Sequence, residues 1–507
     1  GSNRWSGNLF EYHRNTVLNA NNFFNNQSGQ ARPAFIQNQY GGSLGGPLWR
    51  ERTFVFGNFQ GVRTRNAVVR NRTVLTPEAK AGVFRWTPPG SSEIRSFDIA
   101  RNDPRGLGID KQVAPILALL PNPNNFDVGD GLNTAGFRFN NPTPSYNDQL
   151  TFRADHNLTP LHRVFYRHSR QENSSYDALN NVDSTFPGQP TGTQGGLRWG
   201  YAAGWNATFS PTVVNEFLTG YQSSSVVFYR PRLPQPMQDA STTIWTNPLH
   251  VGTGSDRNSP VRQFTDNLSV LRGRHSFKTG LSFRFTKQYE TSQAGIYPNI
   301  TFTRANGNTP PGTIGPSGAA VIASADRTRF EDLYNHLLGR ANQITTTFYG
   351  DSEKFQPAGS PRLRNFYFHD YAYFFQDDWR LLPNLTLNLG LRWEFNGVPF
   401  ERDNLQGVVA EGALIHSVSR IDNVSIRRGR DWYANDYNNF APRFGIVWDP
   451  RGDGKTAIRA SYGVFYDRTI GSITRDVDGS TPGFAQAVPV FPNSATGSDR
   501  RLSDGLA

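Results

Sequence analysis

Cysteine is absent from the 507 residues, and methionine occurs once, as Met237. The first absence excludes a disulfide-held secreted scaffold, a thiolate metal site and a cysteine nucleophile. Lysine is scarce too: the 52 basic residues include only six lysines, and the arginines are scattered rather than blocked. The net charge of +11 and pI near 9.8 come without a basic block or a recognition-helix pattern, so no nucleic-acid partner is expected. Long apolar runs are missing as well. None reaches the roughly 18 residues that a membrane helix needs, and mean hydropathy is −0.57; a helical membrane protein is excluded. The chain opens at Gly1 without a start methionine or signal-peptide pattern, so this end is expected not to be native.

Aromatic side chains, by contrast, are plentiful: 37 Phe, 19 Tyr and 10 Trp, too many for a disordered chain. They recur in a period of two. "LTLNLGLRWEFN" (385–396) places Leu, Leu, Leu, Leu, Trp and Phe at odd positions and polar residues or Gly at even ones. Successive side chains of a strand point to opposite faces, so one face here is apolar and the other polar. "FKTGLSFRF" (277–285), "YAAGWNATF" (201–209), "IRASYGVFY" (458–466) and "QLTFRADH" (149–156) repeat the pattern.

The connections are lopsided. Short turns at 47–52, 157–163, 210–213, 272–275, 380–384 and 449–455 alternate with long polar loops at about 66–146, 170–196, 228–258, 290–340 and 398–438. That arrangement puts every short turn at one end of the sheet, as in transmembrane barrels of the bacterial outer membrane. Trp49, Trp379 and Trp448 each sit close to a short turn, where an interfacial girdle is expected. The apolar face of 385–395 then meets lipid. Asn388, Arg392, Glu394 and, on 277–285, Arg284 face a wet lumen, because only a closed barrel satisfies every backbone group in hydrocarbon. About twelve strands are predicted. "NQITTTFYG" (342–350) is placed in an outside hairpin with 364–370, and 108–124 as a short loop helix packing on the barrel rim.

Several segments, in order, resemble one family. "GSNRWSGNLFEYHRNTVLNANNFFN" (1–25) resembles the end of the plug domain of TonB-dependent outer-membrane receptors. "FIQNQYGGSLGGPLWRERTFVFGNFQGVR" (35–63) resembles the first barrel hairpin of their Oar-like branch. "YNDQLTFRADHNLTPLHRVFYRHS" (146–169), "YAYFFQDDWRLLPNLTLNLGLRWEF" (371–395) and "NFAPRFGIVWDPRGDGKTAIRASYGVFYDR" (439–468) resemble later hairpins. The resemblance implies an all-β transmembrane antiparallel barrel, with 1–34 as the tail of the plug and 35–507 as the N-terminal part of the barrel. It also implies a carboxypeptidase-regulatory-like domain, a TonB box and the rest of the plug before Gly1, and about 22 strands in the whole barrel. Implied partners are outer-membrane lipid, the TonB–ExbB–ExbD complex and an unidentified bulky substrate, in a Gram-negative outer membrane. The chain is expected to be a fragment that ends in a loop-like tail, 498–507, and to depend on detergent when alone, since a partial barrel leaves two open edges.

No catalytic constellation, cofactor site or metal site is expected. Asp377 and Asp378 are strand neighbours and point to opposite faces, so they cannot share a proton. "DPRGDGKT" (449–456) lacks phosphate-loop spacing and reads as a hairpin turn. The nine His are isolated, without zincin spacing. Glu11, His13 and Arg14 are candidate plug–barrel contacts, and Trp245, Tyr297, Tyr349, Trp432 and Tyr433 are candidate binding aromatics on the outside loops. The leading function is transport of a bulky substrate without catalysis. The alternative is a passive or structural outer-membrane protein, a porin-like channel or an adhesin; a soluble carbohydrate-binding protein is a distant third.

Overall fold

The computed structural model describes residues 2–505 except 22, 28, 30, 181–182, 234–235, 313, 317–321, 410–413, 418–419, 423–424, 469–470, 472–473, 475–476, 479–480 and 496. The side chains of 24, 25, 236 and 414–424 are also outside the description. Parts of the expected segments 1–34, 170–196, 228–258, 290–340, 398–438 and 498–507 therefore fall outside it.

Thirteen strands form one antiparallel wall in which each pairs with the next in sequence. They are β1 (Ser6–Asn15), β2 (Phe35–Trp49), β3 (Thr53–Leu75), β4 (Ser145–Thr159), β5 (His162–Tyr176), β6 (Thr193–Ser210) and β7 (Val213–Tyr229). The series continues with β8 (Val261–Arg272), β9 (His275–Ser292), β10 (Arg362–Leu382), β11 (Leu385–Asn396), β12 (Asn439–Trp448) and β13 (Ile458–Gly463). From β2 onward these are the twelve strands the alternation predicts. β1 is an addition: Ser6–Asn15, expected in the plug tail, pairs residue by residue with Ile36–Gly45 and so belongs to the wall. Among the described residues, β1 and β13 each pair on one side only, and the wall is open.

The alternation holds on the wall. Leu389 and Leu391 of β11, Phe375 of β10 and Leu150 and Phe152 of β4 are exposed on the apolar face, as lipid-facing residues are. Their strand neighbours turn the other way: Asp378 accepts from Asn388 at 2.6 Å, Gln376 at 3.0 Å and Lys278 at 3.1 Å, whereas Asp377, two residues from Phe375, stays on the apolar side near the turns and pairs with His275 at 2.7 Å. The turn after β12 is held by Asp449, whose carboxylate accepts from the N–H groups of Arg451, Gly452 and Gly454, the two glycines adopting positive φ.

At the other end the long connections build a layer with its own core. Val74, Phe84, Ile116, Trp245, Phe302, Phe330, Leu337 and Leu502 belong to one buried cluster, drawn from four connections and from the segment after β13. β3 runs past the expected loop start at 66 and pairs over Ala67–Leu75 with Thr134–Pro142. Helix Ser324–Leu337 lies within the expected loop 290–340 and buries Phe330, Leu333, Tyr334 and Leu337. The helix expected in 108–124 is shorter, Ala114–Ala118, and its Ile116 and Leu117 enter this layer's core. Gln343–Tyr349 does not form a hairpin with 364–370. It pairs with Asn299–Thr301 and Ala485–Val490 in a small separate sheet, because 362–382 is already paired on both sides within the wall.

The tail is not loose either. Arg501 is fully buried, and its Nη1 donates to Asp103 Oδ2 at 2.8 Å. Leu502 N–H bonds the Gly339 carbonyl at 3.0 Å, and Arg105 pairs with Asp504 at 2.8 Å. Burial pushes the Asp103 carboxyl up, but hydrogen bonds from Arg501 and from the backbone of Arg105 and Leu107 outweigh it and hold it at about 2.

Candidate functional site

The polar face of β4–β9 carries a cleft of about 620 Å³. Strand register builds its floor. Arg167 of β5 lies opposite Ala202 of β6, Ala202 opposite Gly220 of β7, and Gly220 opposite Gln263 of β8. Small residues therefore meet across β6 and β7. A Cβ on Gly200 would sit 2.5 Å from the Tyr221 carbonyl oxygen, so the floor is as low as the backbone allows. Arg167, Arg198 and Arg284 stand around this floor with Gln149, Ser169 and Gln222, and no carboxylate lines the cleft among the described residues. Arg284 Nε is buried without a hydrogen-bond partner among the described residues.

A neighbouring cleft of about 320 Å³ is lined by Arg284, Asp370, Arg392, Glu394 and Arg468. Here the charges are mixed and paired: Arg468 bonds Asp370 at 3.2 Å, and Arg392 bonds Glu394. The structure thus brings together three of the four predicted lumen residues, Arg284, Arg392 and Glu394. Asn388 shares their face but lies closer to the turns, bonded to Asp378. Arg167 and Arg198 were missed. The same alternation reaches both, since Arg167 lies two residues from Ser169 and Arg198 two from Gly200 on the polar face.

The other candidates separate. On β1, Glu11 and His13 share one face and Arg14 takes the other, so the three do not form one cluster. His13 bonds Asn38 at 2.7 Å, and the Arg14 guanidinium lies 4.7 Å from the Phe35 ring centre. Trp49, Trp379 and Trp448 all sit at the turn end of the apolar face; Trp49 and Trp448 are exposed, and Trp379 stacks on His275. Of the loop aromatics, Trp245 and Tyr349 are buried and hold loops to each other rather than presenting a ring. Trp245 packs edge-on against His336, and Tyr349 donates to the Ala294 carbonyl. Trp432 likewise packs on Phe366 and donates to the Gly407 carbonyl, and Tyr297 stacks under Arg232 at 3.6 Å. Tyr433 stays exposed. Among the described residues no group of three or more His, Asp or Glu could hold a metal ion.

Against known proteins, residues 1–507 match the family model described as an outer membrane beta barrel domain. No curated protein matches the chain. Solved structures with a similar fold include the outer membrane transporter YddB from Escherichia coli, at 11% identity and TM-score 0.47, covering 95% of this chain and 46% of that one. A mutant ferric enterobactin receptor, PfeA, from Pseudomonas aeruginosa is 11% identical with TM-score 0.40, over 95% and 46% of the two chains. The siderophore receptor PirA from Acinetobacter baumannii is 9% identical with TM-score 0.39, over 91% and 43%. The chain spans less than half the length of each. Alternating strands, one-sided short turns, a lipid-type outer face and the match along the whole chain together show that this chain belongs to the outer membrane beta barrel domain family.

Proposed function

We propose that the chain is the lumen-facing wall and outside layer of a TonB-dependent transporter that moves a bulky substrate across the outer membrane without catalysis. The observation that carries the reading is the cleft on the polar wall, where Arg167, Arg198 and Arg284 stand over a floor of Gly200, Ala202 and Gly220 with no carboxylate among them. A passage that must let a large solute slide needs a low, polar, hydrated surface, and the cationic field favours solutes with acidic groups. Arg284, Arg392 and Glu394 continue the polar track beyond the cleft. Energy comes from the TonB–ExbB–ExbD complex acting on a plug that occupies the lumen.

The test is the whole receptor reconstituted in planar bilayers. A plugged transporter stays electrically silent until the plug is withdrawn, whereas a porin-like channel conducts steadily. Steady conductance of the intact receptor would favour the passive reading. The organised outside layer also suits an adhesin, and silent bilayers combined with undiminished uptake in a TonB-deleted strain would remove the energised transport reading.

A further inference from the structure

The outside layer holds a second, smaller recess, separate from the cleft on the wall. Arg72 and Thr73 on β3, Thr185 after β5 and residues 240–250 after β7 enclose about 440 Å³, within the range of small-molecule sites. Its shape is set by buried bonds. Thr246 N–H donates to the Thr73 carbonyl at 2.8 Å, and Asn247 Nδ2 donates to the carbonyls of Met237 and Ala240 at 2.6 and 3.0 Å. The groups that face the space are therefore free of the work of holding it open.

Their chemistry is one-sided. Among the described residues no carboxylate lines the recess, while Arg72 does. Asp183, the acid closest to pairing with Arg72, is already engaged by Arg70 Nε at 2.8 Å and Asn141 Nδ2 at 2.9 Å. Both of those donors take Oδ2; Arg72 reaches Oδ1 through Nη2 at 3.5 Å, the outer limit of a hydrogen bond, and Arg72 Nε is buried without a partner among the described residues. With its side chain 14% exposed, this guanidinium is largely withdrawn from water and incompletely paired. Around it, the hydroxyls of Thr243 and Thr246 make no side-chain hydrogen bond among the described residues, and they are not sealed from solvent. An occupant that brings an oxyanion to the Arg72 guanidinium and hydroxyl groups to the threonines matches this chemistry.

We infer that this recess binds a small polyhydroxylated ligand carrying a carboxylate or phosphate, with Arg72 holding the oxyanion and the threonine hydroxyls meeting the ligand's own. The inference rests on the transporter reading only in placing this layer outside the cell.

The test is equilibrium binding to the full chain in detergent, read by calorimetry with glucuronate, glucose 6-phosphate and glucose. At least one anionic sugar binds, and glucose binds about tenfold more weakly or not at all. R72Q brings the anionic sugar down to the level of glucose, and T243V weakens it by about threefold. Glucuronate alone binding assigns a carboxylate, and glucose 6-phosphate alone a phosphate. Equal binding of all three sugars, or of none, overturns the proposal. If R72Q loses its near-UV circular dichroism, T243V and T246V decide, and unchanged affinity in both overturns it. Uptake by the whole receptor is measured in parallel: TonB-dependent uptake without sugar-acid binding removes the recess and leaves the transport reading standing.

Discussion

The wall and the layer beyond it point the same kinds of side chain in opposite directions. On the wall, Leu389, Leu391, Phe375 and Phe444 face away from the protein, 37–52% exposed. In the layer, Phe84, Phe302, Phe330 and Leu337 are enclosed completely. Residue type does not decide this; the surrounding medium does. Hydrocarbon accepts Leu and Phe at no cost, so the wall needs no interior of its own and is held by its ladder of backbone bonds. Water does not accept them, so the outside connections must collapse on one another. One chain thus has two kinds of stability.

The largest effect expected is in the layer. Arg501→Ala leaves Asp103 buried without its counter-charge and destabilises the layer by about 3–5 kcal/mol. Limited proteolysis will show the outside connections cut while the strands of the wall stay resistant; equal resistance of both would mean that the two regions do not unfold separately. The matching break on the wall is Leu389→Arg. A cation near the middle of the lipid face costs about 2–4 kcal/mol, and insertion into vesicles should fall, whereas Asn388→Arg on the polar face inserts normally. Similar losses for the two would remove the assignment of faces.

A third effect is set by pH and belongs to the layer alone. Burial pushes the His336 imidazole down to about 4, and its Nδ1 lies 2.7 Å from the Asp332 carbonyl oxygen. The unfolded ring, with an ordinary value of 6.5, takes up a proton first. Stability from the neutral ring is therefore full above pH 6.5 and is lost as pH falls toward 4. Denaturant melts of the layer should weaken over that window, and His336→Phe should flatten the change without altering the wall. The smallest effect is at the rim. Trp448→Ala removes one ring of the girdle and lowers resistance of the wall to denaturant by about 1 kcal/mol or less, with no change in the layer's pH profile.

The same contrast explains what could be read from the sequence. A strand facing lipid writes its orientation in every second residue, so Leu385 to Phe395 disclosed the wall, and twelve strands and six short turns followed from that pattern. The same pattern places Arg284, Arg392 and Glu394 on the polar face. β1 was not separated from the plug because "SGNLFEYHRN" has only three apolar or aromatic residues, Leu9 on one face and Phe10 and Tyr12 on the other. The layer's core left little local trace, since Val74, Trp245, Phe302 and Leu502 meet from distant connections and none announces its partner. Helix Ser324–Leu337 is the exception: Phe330, Leu333, Tyr334 and Leu337 have helical spacing that a period-3.6 reading would have found. Arg72, by contrast, looks like any strand arginine, and its incomplete pairing emerges only once Asp183 is seen to be occupied.

The bond between Arg501 and Asp103 joins residues 398 apart in sequence. That distance imposes an order in time. A chain made from its N-terminus presents Asp103 early, then must lay down ten further strands before its counter-charge arrives. Closing so long a loop has little entropic reward until the intervening wall has shortened it. The layer is therefore finished last, and a chain whose wall has stalled part-way shows an unfinished layer, open to proteases.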